Sequence, residues 1–567
     1  MPIRGLALLT LAVCALVAPA PAAHAARPNI VVVLTDDQRW DTLSAMPTVQ
    51  SELVAKGVTF SNAFVVNPLC CPSRASILTG KYSHSTKVYS NGGFRVFDDS
   101  STLATWLRKA GYRTGFFGKY LNSYAGTYVP PGWRRWVAFT PSNVDNYFGY
   151  RLNVDGSLVP RGDLPEDYST DVLAAEAEAF IRGDAATPFF VLFAPYAPHN
   201  SATPAPRHEH AFPGLAPWRP ASYNEPDVAD KPAWLKAQTQ LSPESQTSLD
   251  DFRARQLRSL LSVDQAVERL LDALAQTGRL EDTIVIYMSD NGLLWGEHRL
   301  KGKQAPYEES IRVPLVVRFD RLATGTRTET RQALNVDVAP TVAALAGIAA
   351  PGAEGRSLVP LLRNRSVAWR GEFLVESLRT GPNRDVPTYC AVRGRRYVYV
   401  AYATREDELY DLEVDARQLD NRVGDAALAP ILAKFRKHLL RLCQPRPRGL
   451  QLNWICTKTG TPRNDVILGT QGLDSLCGRA GRDVLRGRGG NDRLWGNRDR
   501  DILVGGAGND ILDPGPSIDR VLGGDGADRL LLRDGVADLV SCGPGRDVVF
   551  ADRRDKVAKD CEVVVRR

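Results

Sequence analysis

A strict nine-residue period near the C-terminal end restricts the fold of this chain more than any other feature of the sequence. Aspartate recurs at every ninth position from Asp465 to Asp528, and an aliphatic residue stands two positions after each of these aspartates. The phase slips by one residue before Asp538 and then continues to Asp547. So short a period predicts stacked coils made of short strands and tight turns. The alternative, a disordered tail rich in Gly, Asp and Arg, would leave the phased aliphatic residues without a role.

Two glycine-rich segments of this region, Gly505 to Asp510 and Gly523 to Asp528, resemble the Gly-Gly-x-Gly-x-Asp repeat of secreted calcium-binding β-rolls. The resemblance implies a parallel β-roll over residues 461–567, in which aspartate carboxylates and turn carbonyls hold Ca²⁺ between coils. Oxygen ligands of this kind suit a hard cation. We therefore expect structural calcium ligands at Asp510 and Asp528.

Other repeats depart from this pattern. Arg479 replaces a glycine, and segments 496–501 and 514–519 lack the usual turn residues. From Thr461 onward, 16 Arg and 2 Lys accompany 17 Asp and 1 Glu. This near balance of charge leads us to expect that arginine replaces some calcium ions as the counter-charge between coils.

The region 26–445 alternates short apolar runs with stretches of helical period, which predicts an α/β fold with a mixed, mostly parallel sheet sandwiched by helices. A helical face includes Leu103 and Leu107, and a longer helix from Leu257 stops at Gly278. The predicted strands are Ile30–Leu34, Arg113–Phe117, Phe189–Phe193, Thr283–Met288 and Leu315–Phe319.

Polar residues follow four of these strands, although each alone would be ordinary loop composition. They are Asp36 and Asp37, Lys119, His199, and Asp290 with Asn291. In open α/β sheets, ligands bind beyond the carboxyl ends of the strands. We therefore expect these residues to converge on one crevice.

The segment from Cys70 to Gly80 carries the most specific motif. It reads Cys-Cys-Pro-Ser-Arg-Ala-Ser-Ile-Leu-Thr-Gly and resembles the signature of sulfatases of the alkaline-phosphatase superfamily. The resemblance extends from Arg27 to about Arg441, and the segment 118–122 is most similar to the N-acetylglucosamine-6-sulfatase branch. It implies an alkaline-phosphatase-like fold with a small C-terminal subdomain, and hydrolysis of a sulfated carbohydrate or another organosulfate.

The resemblance also implies roles for individual residues. Cys70 would be oxidised to formylglycine by a formylglycine-generating enzyme, and one hydroxyl of the aldehyde hydrate would attack sulfur. Arg74 would orient this hydrate, Lys119 and Lys303 would contact the sulfate, and His199 would protonate the leaving alcohol. One Ca²⁺ would lie among residue 70 and four oxygen ligands, and the absence of a Cys/His cluster disfavours zinc. The four oxygen ligands are Asp36, Asp37, Asp290 and Asn291.

One departure concerns the base that eliminates sulfate. Many arylsulfatases carry Lys-x-His where this chain has Lys119-Tyr-Leu121, so His84 is a substitute candidate, with a loop histidine as the alternative. For Cys71 we expect a buried thiol. Three other histidines could line the substrate rim, but we expect them at the solvated surface: His208, His210 and His298.

The start of the chain predicts secretion. Residues 1–25 read as a signal peptide, and no later run is apolar for long enough to span a bilayer.

Six cysteines in the C-terminal third are compatible with three disulfides, among which we favour Cys542–Cys561. Residues 446–460 read as a linker, and the net charge of +7 does not argue for a nucleic-acid partner.

Two alternatives to a secreted sulfatase stay open. A phosphonate or phosphodiester hydrolase of the same superfamily could use the same metal and aldehyde. A non-catalytic, calcium-dependent surface-binding protein could use the N-terminal part only as a scaffold. Retention of the whole residue set at strand ends and in the Cys70 motif argues against the second alternative.

Overall fold

The structure is a computed structural model that describes residues 27–141, 146–184, 186–322, 326–379, 385–447, 450 and 455–566. The predicted signal peptide and the middle of the predicted linker lie outside these residues. Within the described part of the chain, no helix combines the length and the apolar character needed to cross a bilayer.

The N-terminal part is built around one ten-stranded sheet. Neighbouring strands at its centre run parallel, and antiparallel strands lie toward both edges. All five predicted strands belong to this sheet, with ends that differ by at most one residue. From edge to edge, the strands are Arg327–Glu329, Val58–Phe60, Leu315–Arg318, Thr283–Ser289, Asn29–Thr35, Phe189–Ala194, Arg113–Gly118, Arg135–Phe139, Arg151–Val154 and Ser157–Pro160.

Helices cover both faces of this sheet. Ile30 packs into a core with Leu103, whereas the next residue, Val31, packs into a second core with Leu173 and Leu260. Burial of both faces explains why the strand reads as a continuous apolar run. The α-helices of this part are Cys70–Thr79, Ser83–Thr86, Leu103–Lys109, Ser169–Arg182, Ala233–Lys236, Pro243–Gln276, Glu308–Ile311, Val338–Leu345 and Val359–Leu362.

The longest of these helices is longer than the sequence predicts. It ends at Gln276 just before Gly278, whose φ of 66° suits the predicted left-handed stop. It begins at Pro243, because the Ser242 side chain accepts the Ser245 N–H at 3.3 Å and caps the helix.

A smaller antiparallel sheet follows and forms the predicted C-terminal subdomain. Its strands are Glu372–Ser377, Tyr389–Gly394, Tyr397–Tyr402 and Asp407–Asp411, and helix Ala429–Leu442 packs on it. The disulfide Cys390–Cys443 joins a central strand to the residue after this helix. The other two pairs are Cys456–Cys477 and Cys542–Cys561, so the favoured pair is confirmed.

The repeat region forms the predicted parallel β-roll. Residues 18 positions apart pair across neighbouring coils, for example Leu485 with Leu503, so one coil contains two repeats. The phased aliphatic residues are buried between a seven-stranded and a six-stranded sheet. The first sheet contains Lys458–Thr459, Ser475–Arg479, Arg493–Asn497, Ile511–Asp513, Arg529–Leu532, Val548–Ala551 and Val563–Arg566. The second contains Val466–Leu468, Val484–Gly489, Ile502–Ala507, Arg520–Asp525, Leu539–Ser541 and Lys556–Val557.

The repeats that depart from the consensus keep the same turns. Arg479 and Asn497 adopt φ values of 90° and 75°, in the left-handed region that Gly506 occupies with φ 116°. The expectation that arginine supplies the counter-charge between coils is wrong. Among the described residues 461–566, no arginine side-chain nitrogen lies within 4.0 Å of a carboxylate oxygen. The aspartates instead accept backbone N–H groups, as Asp510 Oδ1 does from Asp492 N at 2.7 Å.

Candidate active site

Cys70 is the first residue of helix Cys70–Thr79, which is buried along its whole length. The helix ends at Gly80, whose φ of 71° forms a left-handed cap. The first backbone N–H groups of a helix have no partner within it and carry partial positive charge. Residue 70 therefore lies where an anion or a developing negative charge is stabilised.

Two strand ends bring carboxylates to this residue. Asp36 and Asp37 follow strand Asn29–Thr35, and Asp290 follows the adjacent parallel strand Thr283–Ser289. Cys70 Sγ lies 3.4 Å from Asp36 Oδ1 and 3.9 Å from Asp37 Oδ1. The Asp37 N–H donates to Asp290 Oδ1 at 3.2 Å. The predicted convergence of strand ends on one crevice is thus present.

Three cationic side chains balance these carboxylates. Lys119 Nζ contacts Asp36 Oδ2, and Lys303 Nζ contacts Asp37 Oδ1 and lies 2.6 Å from Cys70 Sγ. Gly118 enables the first contact, because its φ is +132° and an added Cβ would lie 1.9 Å from a backbone oxygen of the next strand. The third cation, the guanidinium of Arg74, follows Cys70 by one helical turn.

Arg74 links the centre to the second strand end. Its Nε donates to Asp290 Oδ2 at 2.7 Å, and its guanidinium lies 3.5 Å from Asp36 Oδ2. Asn291 Nδ2 donates to Asp37 Oδ1 at 2.6 Å, whereas Asn291 Oδ1 is buried and has no hydrogen-bond partner among the described residues.

Burial and these charges shift the pKa values of the centre. For Asp36, burial alone would raise the pKa, but Lys119, His199 and Arg74 outweigh it and lower the pKa well below its usual range. For Cys70, burial and the charge of Asp36 raise the pKa of the thiol far above its ordinary value. Burial and Asp36 therefore favour the protonated form of an unmodified thiol when no cation is bound.

His199 lies at the open side of the centre. Its Nε2 is 3.6 Å from Asp37 Oδ2, and 23% of its side chain is exposed, whereas the Asp36 side chain is fully buried. Burial lowers the pKa of His199, and the negative charge of Asp36 opposes this effect. His199 is thus more exposed to solvent than the charged side chains around it, which are at most 10% exposed.

The donor set fits a metal ion. The ligand atoms of Asp36, Asp37, Cys70 and His199 all lie within 4.8 Å of one another. The orphaned Asn291 Oδ1 adds a further oxygen beside them. The sequence argument against zinc assumed that no Cys/His cluster exists, and the position of Cys70 and His199 beside the carboxylates contradicts that assumption. The preference for a hard cation therefore rests on the carboxylate and amide oxygens.

The other predicted histidines lie apart from this cluster. His84 Nδ1 is 2.9 Å from Glu376 and its Nε2 is 3.7 Å from Glu354, and these two carboxylates raise its pKa to about 9 against the effect of burial. His210 is exposed, as expected. His298 was expected at the surface, and that was wrong: it is fully buried, 2.7 Å from Glu225. Cys71 is a buried free thiol, as expected.

Sequence reasoning missed Arg39, which supports the loop that carries Asp36 and Asp37. Its guanidinium is fully buried, donates to Glu297 at 2.8 Å and lies 4.3 Å from the ring centre of Trp295. The only signal in the sequence is its place directly after Asp-Asp-Gln.

Comparison with known proteins assigns these parts to families. Residues 28–348 match the sulfatase family, residues 296–445 match the C-terminal region of N-sulphoglucosamine sulphohydrolase, and residues 459–494 and 478–512 match the RTX calcium-binding nonapeptide repeat. The extracellular sulfatase SULF-1 homologue of Drosophila melanogaster is 36% identical over 62% of this chain, but the match covers 33% of that relative. A putative extracellular sulfatase of Caenorhabditis elegans is matched over 52% of its length.

Two further proteins match over more of their length. Human N-acetylglucosamine-6-sulfatase is 36% identical over 393 residues, 65% of this chain and 70% of the human protein. A solved complex of a protein with its substrate D-glucosamine-2-N,6-O-disulfate shares 26% identity and a TM-score of 0.63, over 74% of this chain and 98% of that one. Because the family match spans more than half of the residues and includes the whole Cys70 centre, this chain belongs to the sulfatase family.

Proposed function

We propose that this protein hydrolyses sulfate esters of a sulfated sugar, with N-acetylglucosamine 6-sulfate as the preferred substrate class. The observation that carries this proposal is the charge-balanced centre at Cys70, where the cationic groups of Arg74, Lys119 and Lys303 lie beside three carboxylates. Cations preorganised at this position stabilise the charge that develops as a sulfate ester breaks. The 36% identity with human N-acetylglucosamine-6-sulfatase supports the choice of sugar.

Cys70 requires oxidation to formylglycine before it can act. Its pKa is raised by burial and by Asp36, and a protonated thiol is a poor nucleophile. The hydrate of an aldehyde at this position supplies a hydroxyl that attacks sulfur, and a second hydroxyl whose deprotonation releases sulfate. A formylglycine-generating enzyme would be the maturation partner.

The surrounding side chains bind and orient the reacting groups. Lys303 touches both residue 70 and Asp37, so it fixes the nucleophile and neutralises a sulfate oxygen. Arg74 is held by Asp290 and orients residue 70. His199 donates a proton to the leaving alcohol, since the negative charge of a bound sulfate ester favours its protonated form.

One Ca²⁺ would be held by the carboxylates of Asp36, Asp37 and Asp290 and by Asn291 Oδ1. Such an ion draws charge away from the sulfuryl oxygens when bound. In the β-roll, the buried carboxylates of Asp510 and Asp528 are candidate ligands for additional calcium.

The protein is proposed to act outside the cytoplasm. The predicted signal peptide supports this, as do the three disulfides, which persist in oxidising compartments. Secretion can be tested by fractionation of cells that express the full chain, with the protein expected in the medium or on the cell surface. Retention of the full-length chain in the cytoplasm would contradict it.

A panel of monosaccharide sulfates tests the activity and its regiochemistry. Purified protein should release sulfate from N-acetylglucosamine 6-sulfate faster than from the 3- and 4-sulfates, and faster than it hydrolyses an aryl phosphodiester. The Cys70→Ala variant is the control and should be folded but inactive. Faster turnover of the phosphodiester would favour the phosphonate or phosphodiester hydrolase instead.

A further inference from the structure

A groove begins where the C-terminal subdomain meets the first coils of the β-roll. Its larger part is a cavity of about 790 Å³, and a neighbouring cavity of about 320 Å³ shares Asp513 and Gly515 with it. Strand pairing places Trp495 beside Asp513 and Leu531 beside Phe550 across the seven-stranded sheet. We call these two connected cavities the junction groove.

Arginines dominate the charge of the junction groove. Arg405 from the subdomain and Arg479 and Arg498 from the roll line the larger cavity. All three are exposed, and no carboxylate oxygen of a described residue lies within 4.0 Å of their guanidinium nitrogens. In contrast, Arg436 in the same cavity is paired with Asp407 at 2.7 Å.

The smaller cavity continues this character. Arg529 and Arg533 lie 4.6 and 5.1 Å from the ring centre of Phe550 and keep their guanidinium groups at the surface. The acidic residues described in the lining are Asp513 and Asp534, so the arginines outnumber them. The groove thus offers a positive surface with aromatic rings along its length.

The backbone at Arg479 has a left-handed conformation. Its φ of 90° lies in the left-handed region that favours glycine, and Gly515, two coils further along the same side of the roll, has a φ of 95°. A glycine at position 479 therefore suits this turn.

We propose that the junction groove binds a chain of a sulfated polysaccharide and holds a polymeric substrate next to the catalytic part. Guanidinium groups match the geometry of sulfate oxygens, and aromatic faces such as Trp495 pack against sugar rings. Two connected cavities fit several sugar units better than one small anion. The choice of sulfate as the anion rests on the proposed function. The charge and the shape of the groove are observed independently of that function.

Affinity electrophoresis in gels that contain dextran sulfate, or unsulfated dextran, tests this proposal on the full chain. The groove variant is Arg479→Gly/Arg498→Ala, in which glycine suits the left-handed turn. The matched control is Arg486→Ala/Arg520→Ala, which removes the same charge from exposed positions of the six-stranded sheet. We expect the groove variant to bind dextran sulfate at least tenfold more weakly and the control to stay within twofold. Trp495→Ala should lose several-fold.

Three outcomes would overturn the proposal: equal loss in both double variants, unchanged affinity of the groove variant, or full displacement of dextran sulfate by inorganic sulfate of equal charge concentration. Turnover of a small aryl sulfate is measured in parallel and should be the same in all variants. If wild-type protein binds dextran sulfate through the groove but cleaves no sulfate ester, the proposed function fails and the groove assignment stands on its own.

Discussion

The catalytic centre and the β-roll both bury many carboxylates, but they neutralise them differently. In the centre, cationic side chains contact the carboxylates directly, as Lys119 does with Asp36 and Arg74 with Asp290. In the roll, each aspartate accepts a backbone N–H through Oδ1, while Oδ2 is buried without a hydrogen-bond partner among the described residues. These aspartates are Asp483, Asp492, Asp501, Asp510, Asp519, Asp528, Asp538 and Asp547.

Because of this difference, we expect a bound metal ion to have a different effect on each of the two regions. The centre balances its carboxylates with its own cationic side chains, so we expect its fold to depend little on a bound cation. Among the described residues, no Lys or Arg side-chain nitrogen lies within 4.0 Å of a carboxylate oxygen of these aspartates of the roll, and burial raises the pKa of Asp492, Asp501 and Asp510 to about 7. We therefore expect the stability of the roll to depend on protons or on an external cation at these carboxylates.

The largest expected effect tests the cations of the centre. Lys119→Ala should lower turnover of a sulfate ester by about 10²–10³-fold, because a charge that faces the substrate is removed. The control is Lys56→Ala, which breaks an exposed pair with Glu52 and should leave turnover unchanged. A Lys119→Ala enzyme that keeps more than a tenth of its activity would show that this cation does not contact the sulfate.

Removal of calcium tests the contrast directly. In calorimetry of the full chain, a chelator should lower the melting temperature of the roll by roughly 10 °C or more, since a ligand at a hundred times its Kd contributes about 2.7 kcal/mol. The transition of the catalytic part should shift far less. Equal shifts of both transitions would contradict the idea that the centre is balanced by its own side chains.

The pH dependence of the calcium-free roll gives a smaller effect of defined sign. The pKa of Asp519 and Asp538, like those of the aspartates above, is raised by burial from 3.8 to about 7. Such groups contribute stability that is fully present below about pH 4 and is lost as the pH rises through 7. With chelator present, the roll should therefore melt at a higher temperature at pH 5 than at pH 8. The opposite order would show that these carboxylates are charged in the folded roll.

His84 provides the smallest effect and separates a structural from a catalytic histidine. Because Glu354 and Glu376 raise its pKa to about 9, we expect His84 to be protonated at neutral pH and therefore not to act as a base there. His84→Gln should cost about 1–2 kcal/mol at pH 7, less as the pH rises through 9, and change turnover by only a few-fold. A hundredfold loss of turnover at unchanged stability would restore His84 as the base for sulfate elimination.

Features with a strong period or a fixed place at a strand end could be predicted from the sequence. The central strands, the β-roll and the grouping of Asp36 with Asp290 follow from apolar runs, from repeats and from the shared edge of parallel strands. Contacts between distant loops could not be predicted. His298 is buried, and its Nδ1 lies 2.7 Å from a carboxylate oxygen of Glu225, which is 73 residues away in the sequence. The predicted arginine counter-charge failed because a backbone N–H occupies Oδ1 of each aspartate and Oδ2 is buried, whereas arginines such as Arg479 and Arg498 are exposed.

The most direct test of the account is the mass of the peptide that contains residue 70, measured in purified protein whose turnover of a sulfate ester is determined on the same sample. The buried, protonated thiol implies that activity should rise in proportion to the fraction of chains in which Cys70 is an aldehyde. Full activity in a sample in which every chain carries an unmodified Cys70 thiol would contradict it.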